Sequence, residues 1–343
     1  MKIVTVIGNR PQFIKAALIS KKIRILNDEI LVHTGQHYDK NLSDIFFSEL
    51  DLPEPEINLG IAESEHGKQV GLMLIELEKI LLQEKPDIII VYGDTNSTLA
   101  GALSASKLHI PIVHIEAGLR SYNKIMPEEI NRVLTDHISS LLLCPNQQAI
   151  NNLEKEGISN GVFNCGDVME EVFFLTMDSI IKNKGNYIYM TLHRAENTDD
   201  ELVLFKRLSQ IAGLNMPVKW PIHPRTKNII NRYALDIPSN IEIIPPQGYY
   251  DNINLLVNAD YVITDSGGLQ KESFWAGIPC FTMRSETEWG YTVDSGWNTL
   301  ISIDDDLVKI IKSYSSLLKK YKRQDRFSES EVVIETIKRH FSF

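Results

Sequence analysis

The sequence predicts an α/β protein of two consecutive doubly wound, Rossmann-like domains. Three observations lead there: short apolar runs alternate with helical stretches, the alternation stops and restarts once, and 343 residues exceed one ordinary core. In the first series, Ile3–Ile7, Ile30–Thr34, Ile88–Tyr92 and Ile112–Glu116 are apolar on both faces. Strands of a parallel sheet covered by helices must read so. Between them, Val70–Lys85 places Leu72, Ile75, Leu77, Ile80 and Leu81 at mostly helical spacing, and Pro86 ends that helix. The second series runs through Tyr187–Thr191, Val218–Ile222, Ile241–Ile244, Tyr261–Thr264 and Cys280–Met283. Met177–Gly185, helical and then polar, lies between the two. The boundary therefore falls near residues 168–185, giving domains 1–168 and 169–343. A polar segment, Lys319–Ser330, precedes a final amphipathic helix over Glu331–His340, reaching about residue 343. Two such domains are expected to leave an interdomain cleft at the carboxyl edges of their sheets, where this architecture binds ligands.

Composition narrows the function. Hydrophobic residues at 43% and charged residues at 23% are the balance of a compact chain. With 35 basic and 45 acidic side chains the net charge is −10, which argues against a nucleic-acid duplex as partner. A small anion remains compatible, because local field and helix N-termini decide its binding. Cys144, Cys165 and Cys280 are odd in number and widely spaced, so neither a disulfide framework nor a zinc site is indicated. No signal peptide or membrane span is expected: the first strand begins at Lys2, and apolar runs stay far below the roughly 20 residues a span needs. The expected setting is the cytoplasm.

Several strand ends carry chemistry. Gly8-Asn9-Arg10-Pro11 follows the first strand, with Lys15 close by, as a phosphate-facing turn or a turn with solvated cations. It lacks the glycine pattern of a dinucleotide fold and of a P-loop, so no NAD or ATP site of those kinds is expected. Asp94 ends the third strand as a substrate-facing carboxylate or a helix cap. Glu116 ends the fourth. Glu128 opens a following helix, as an acid–base group, a dipole partner or an i,i+4 partner of Arg132. Three carboxylates at neighbouring ends of one sheet suit acid–base chemistry on both faces of a carbon. In the second domain His193 follows a strand at the same edge, whereas His223 reads as structural. Thr264-Asp265-Ser266-Gly267-Gly268 then opens a helix whose amides suit a pyrophosphate, or forms a plain Ser-capped turn. Glu272, about a turn further, suits two adjacent ribose hydroxyls.

Taken together, the opening G-x-R-P with Lys15, GDTNSTLA, HIEAGLR, MPEEINR, GDVM at Gly166–Met169, HRAEN and DSGGLQKE resemble the non-hydrolysing UDP-N-acetylglucosamine 2-epimerases over nearly the whole chain. The resemblance implies a glycosyltransferase-B-like fold, usually dimeric, with the last helix returning to the first domain. It implies acid–base roles for Asp94, Glu116 and Glu128, and a place near the diphosphate for His193. Nucleotide-binding roles fall to Arg10, Lys15, Arg132, Ser266, Gly267, Gly268 and Glu272. The implied reaction interconverts UDP-N-acetylglucosamine and UDP-N-acetylmannosamine by elimination and re-addition of UDP, with no cofactor or metal.

Two departures stand out. Where the family carries T-x-R-P-E, this chain reads Thr287-Glu288-Trp289-Gly290-Tyr291, so an indole replaces a cation and offers an apolar wall to a bulky sugar substituent. Gly35-Gln36-His37-Tyr38-Asp39 lacks the Arg that follows the His in allosterically activated members. Both lean toward a 2-epimerase of UDP-2,3-diacetamido-2,3-dideoxyglucuronate or a related sugar. A glycosyltransferase on the same scaffold is the rival chemistry, and a non-catalytic nucleotide-binding protein a third reading.

Overall fold

The computed structural model describes residues 1–36, 47, 49–314 and 328–342. His37–Asp39 of the segment noted above, residues 319–327 of the polar segment and Phe343 lie outside them. The chain divides into two compact units. Unit 1 gathers the chain up to Val172 together with the C-terminal helix, and unit 2 begins at Phe173.

Unit 1 runs β1 (Lys2–Ile7), α1 (Arg10–Ile23), β2 (Asp28–His33), β3 (Ile57–Asn58), α2 (His66–Glu84), β4 (Ile88–Tyr92) and α3 (Asn96–Lys107). It continues with β5 (Ile112–Ile115), α4 (Pro127–Ile138), β6 (Leu141–Cys144), α5 (Gln147–Lys155), β7 (Val162–Asn164) and α6 (Val168–Asp178), the helix in which the division falls. Its sheet has the order β3-β2-β1-β4-β5-β6-β7, and every pairing is parallel. Burial explains the apolar runs: all five residues of β4 are buried because helices cover both faces. Side chains of β1 and β4 pack with Met73, Leu77 and Leu81 of α2 and the alanines of α3.

Unit 2 runs β8 (Ile188–Thr191), α7 (Ala195–Thr198), α8 (Glu201–Ala212), β9 (Val218–Pro221), α9 (Pro224–Tyr233), β10 (Ile241–Ile244) and α10 (Tyr249–Val257). It completes with β11 (Tyr261–Thr264), α11 (Gly267–Ala276), β12 (Cys280–Thr282), α12 (Gly290–Asp294), β13 (Asn298–Leu300) and α13 (Leu307–Ser313); α14 (Glu329–Phe341) belongs to unit 1. The order β10-β9-β8-β11-β12-β13 is again all parallel. Both sheets thus reverse direction once, between β1 and β4 and between β8 and β11, the points at which doubly wound sheets take ligands. The predicted fold class, two Rossmann-like α/β units, is the one observed.

Helix boundaries show what local signals control. Asn9 and Gln12 form a reciprocal capping box at the start of α1, with Pro11 in its first turn, and Thr95 and Thr98 form another at α3. No side chain caps α2, which starts at His66, ahead of the predicted Val70. All three cysteines are buried and unbridged. Burial pushes the Cys165 thiol up to about 11 and that of Cys280 up to about 12. Among the described residues no helix is long and apolar enough to cross a membrane.

His33, at the end of β2, is buried against Phe13 with ring centroids 5.1 Å apart. Its Nδ1 accepts from the Gly35 amide at 2.8 Å, and Nε2 has no partner among the described residues. Burial pushes this imidazole down to about 4 from an ordinary 6.5. The unfolded chain therefore takes up the proton first. The stability that neutral His33 contributes is fully present above about pH 6.5 and is lost as pH falls towards about 4. We predict that His33→Gln flattens the pH slope of urea-denaturation stability in that window by up to about one proton. Equal slopes in the two proteins would assign acid sensitivity elsewhere.

Candidate active site

Register places the candidate residues. Ile7 pairs with His33, Tyr92 with Ile115 and Ile115 with Leu143, while Val6 pairs with Val91. The next row across the carboxyl edge of the unit 1 sheet is therefore Thr34, Gly8, Gly93 and Glu116. Gly93 lies at φ +61°, a conformation that side-chain-bearing residues rarely adopt. A Cβ there would stand 3.4 Å from both Glu116 Oε1 and Lys15 Nζ. Those two atoms form an ion pair of 2.5 Å, with side chains 10% and 5% exposed. Glu116 itself has φ +72°, so its backbone leaves the strand in a strained turn beneath its own carboxylate.

Asp94, one residue past Gly93, accepts from Arg132 Nη2 at 2.5 Å. It does not cap α3, because Thr95 performs that task. Arg132 is buried, and its Nη1 reaches Glu129 at 3.0 Å. The i,i+4 pairing of Arg132 with Glu128 considered above therefore gives way to an i,i+3 pairing with Glu129. Glu128 is half-buried in the first turn of α4, an N-terminus that no side chain caps, where the helix dipole suits a carboxylate. Arg10 opens α1 half-buried.

Two unit 1 residues escaped the sequence reading. Glu129 accepts from the Ser121 and Tyr122 amides at 2.8 and 2.9 Å and holds the loop after β5 against α4. Burial acts to raise its pKa, but these amides and Arg132 outweigh that and hold the carboxyl below its usual range. Gln12 accepts from Gly8 N at 2.7 Å and donates to Tyr92 O at 2.8 Å, tying the loop after β1 to the loop after β4. Its place in a capping box was the local signal available.

In unit 2 Thr191 pairs with Thr264, so His193 and Asp265 emerge at neighbouring strand ends. Asp265 is fully buried and accepts from the His193 amide at 2.9 Å and the Arg194 amide at 2.8 Å. His193 Nδ1 lies 3.2 Å from Asp265 Oδ1 while the side chain stays 44% exposed. This fixes one face of the ring and leaves Nε2 to the outside. His223 caps α9 by accepting from the Arg225 amide, the structural role expected of it. Ser266 precedes α11 but its side chain does not cap it, which removes the plain Ser-capped reading. Ser266, Gly267 and Gly268 are half-buried, and Glu272 is buried. A Cβ on Gly267 would stand 2.8 Å from Glu288 Oε1 and 3.4 Å from Trp289 Nε1. A side chain there would need the Glu288 carboxylate to shift.

Trp289 corrects one expectation. Rather than an open apolar wall, it is 4% exposed, with the Lys271 ammonium 3.9 Å from its ring centroid. An ammonium withdrawn from water gains from the face of an indole, so the two pair in the interior. Arg284, also buried, reaches Glu288 at 3.2 Å. The turn therefore does not lack cations nearby. Among the described residues no three His, Cys, Asp or Glu side chains converge as a metal site.

The chain matches a family model described as UDP-N-acetylglucosamine 2-epimerase over residues 21–333. It is 49% identical over 321 residues to the UDP-2,3-diacetamido-2,3-dideoxy-D-glucuronate 2-epimerase of Pseudomonas aeruginosa, covering 90% of each chain. Identity to the UDP-N-acetylglucosamine 2-epimerase of Methanocaldococcus jannaschii is 43% over 342 residues, covering 93% of each. The crystal structure of a Methanocaldococcus jannaschii UDP-GlcNAc 2-epimerase with UDP-GlcNAc and UDP superimposes with a TM-score of 0.92 at 38% identity, covering 99% of this chain and 100% of that one.

The Glu129 cluster generates a stability prediction. Glu129→Gln should destabilise by roughly 1–3 kcal/mol at pH 7, because Arg132 loses a buried charged partner and two amides lose a charged acceptor. The folded carboxyl titrates below its unfolded counterpart, so its contribution is present above the ordinary carboxylate range and is lost as pH falls through the folded value. The deficit should shrink in denaturation curves recorded at increasingly acid pH. A deficit independent of pH would detach it from the ion pair.

Proposed function

Since the chain belongs to the UDP-N-acetylglucosamine 2-epimerase family, we propose that it interconverts UDP-N-acetylglucosamine and UDP-N-acetylmannosamine by elimination and re-addition of UDP. The observation that carries this reading is the row of functional groups at one sheet edge. Asp94 and Glu116 end adjacent strands, each ion-paired to a buried cation, and Glu128 stands on the helix that follows.

In the proposed reaction a carboxylate of this set takes the C2 proton while the C1–O bond to UDP breaks, leaving a 2-acetamidoglycal. UDP oxygen then re-forms the bond to C1 as a second acid of the set delivers a proton to the opposite face of C2. No adjacent carbonyl acidifies that proton, so departure of UDP must assist its loss. Asp94, Glu116 and Glu128 are assigned the proton transfers. His193, oriented by Asp265, is assigned to the diphosphate, where negative charge develops. Ser266, Gly267 and Gly268 are assigned to the diphosphate through the first-turn amides of α11. Arg10, Lys15 and Arg132 are assigned nucleotide binding. Glu272 is assigned to the ribose.

A second substrate, UDP-2,3-diacetamido-2,3-dideoxy-D-glucuronate, is favoured by the 49% identity to the Pseudomonas aeruginosa enzyme. We further propose a cytoplasmic homodimer. Exposed Leu72, Ile75 and Leu82 of α2 and Ile130 and Leu134 of α4 offer apolar surface to a second copy.

Purified protein incubated with UDP-N-acetylglucosamine alone in deuterated water is expected to yield UDP-N-acetylmannosamine with deuterium at C2, followed by NMR. Retention of the original hydrogen would remove the elimination route, and a requirement for a sugar acceptor would favour the glycosyltransferase reading. Comparing kcat/KM for the two UDP sugars decides between them; a difference beyond about tenfold corresponds to about 1.4 kcal/mol of discrimination. Asp94→Asn, Glu116→Gln, Glu128→Gln and His193→Ala should each slow turnover at least about a hundredfold. Near-normal rates in the three carboxylate variants would return those groups to structural roles.

A further inference from the structure

Beneath the proposed proton-transfer groups lies a buried charged cluster that the reaction does not use. His114 of β5 is fully buried, with Nδ1 2.7 Å from Asp136 Oδ1 and Nε2 2.7 Å from the Gly93 carbonyl oxygen. Asp136 also accepts from Arg120 Nη1 at 2.7 Å and from the Gly118 amide at 3.1 Å. Arg120 in turn donates from Nε and Nη2 to the two oxygens of Glu156, each at 2.7 Å. Burial acts to raise the Asp136 pKa, but His114 and Arg120 outweigh it and hold the carboxyl below the usual range. Arg120 thus bridges two carboxylates. A carbonyl oxygen only accepts, so Nε2 of His114 donates to Gly93 in this geometry.

The contact to Gly93 is the informative one. Each nitrogen of a buried imidazole needs a partner. Here the second nitrogen grips the peptide that leads into Asp94. The Gly93 amide donates to Ile115 O at 2.9 Å, so both ends of this left-handed residue are fastened to β5. The Lys15–Glu116 pair lies within contact distance of its Cα side. Through Gly118 and Arg120, the same cluster holds the loop that follows Glu116.

We propose that His114 is a positioning residue, which sets the Gly93–Asp94 peptide plane through its Nε2–H···O=C bond and thereby aims the Asp94 carboxylate. The inference rests on the assignment of Asp94 to proton transfer. A misplacement of about 1 Å at a reacting group can cost on the order of a hundredfold in rate, so the loss of such a bond has a kinetic signature.

Two replacements separate the two ring nitrogens. His114→Asn retains an N–H where Nδ1 stands and loses the reach to Gly93. His114→Gln retains an N–H where Nε2 stands and loses the Asp136 bond. Positioning predicts that His114→Asn lowers kcat about ten- to hundredfold with KM and UDP affinity unchanged, and that His114→Gln recovers most of kcat although its Tm is the lower of the two. Near-normal kcat in a folded His114→Asn protein, or a poorer kcat in His114→Gln, would overturn it. If neither variant folds, the unsubstituted protein decides. Selective 15N labelling of histidine should show the His114 Nε2 protonated and slow to exchange near pH 7.5, and an unprotonated Nε2 would overturn the proposal. Asp94→Asn is measured alongside. Normal turnover in that variant defeats the assignment of Asp94, whereas slow Asp94→Asn with normal His114→Asn defeats only the positioning role.

Discussion

The side-chain amide of Gln12 is the contact on which the functional edge of unit 1 depends. Where the strand order reverses between β1 and β4, successive connections diverge and leave a crevice beside their carboxyl ends. Unfilled, that crevice would strand backbone groups away from water. Gln12 accepts from Gly8 N and donates to Tyr92 O, Thr95 Oγ1 and Thr98 Oγ1, joining both loops through one planar group. A carboxylate of the same shape could not donate to Tyr92 O. The donor and acceptor halves of an amide are both needed, and Asp94 and Lys15 follow from where that amide holds the two loops.

Asp265 of unit 2 is satisfied differently from the carboxylates at the edge of unit 1. In unit 1 three carboxylates at the edge meet cations: half-buried Glu116 with Lys15, and buried Glu129 with Arg132 and Asp136 with Arg120. Such pairs add little net stability over an apolar core, yet breaking one partner is expensive, so they fix geometry more than they strengthen it. In unit 2 Asp265 is satisfied chiefly by amides, those of His193 and Arg194 together with the side chain of Asn197. In the function proposed above, the first arrangement would supply charged groups at defined places around a reacting carbon. The second would leave the amides of α11 to a phosphate.

Most of the architecture was legible because parallel strands covered on both faces must be continuously apolar, as Ile88–Tyr92 shows. Strand ends were less so. β2 begins at Asp28 rather than Ile30 because Lys2 of β1 pairs with it, a contact no local pattern reveals. The three-residue β7 is largely exposed and carries no apolar run. The helix expected from Met177 starts instead at Val168, where Asp167 accepts from the Met169 amide, a capping signal that the apolar reading passes over. Among site residues, Asp94, Glu116 and His193 could be read from their places after strands. The roles of Asp265 and Trp289 could not. The bonds to Asp265 come from residues 71 and 72 positions away, and Trp289 was judged by what it replaces, without Lys271 stacked upon it.

Helix α14 buries Val333, Ile334 and Ile337, packs on α1, and is fastened by Ser328 and Ser330 to Glu171 and by Glu331 to Lys22. Unit 1 is consequently assembled from both extremes of the chain, with unit 2 spliced into it. During synthesis the order of completion is inverted. Unit 2 lies wholly between the two segments of unit 1, so its residues are all made before α14, which unit 1 needs for completion. Until then α1 exposes the apolar stripe that α14 will cover, so any extension or shortening at the carboxyl terminus acts first on the unit encoded at the amino terminus.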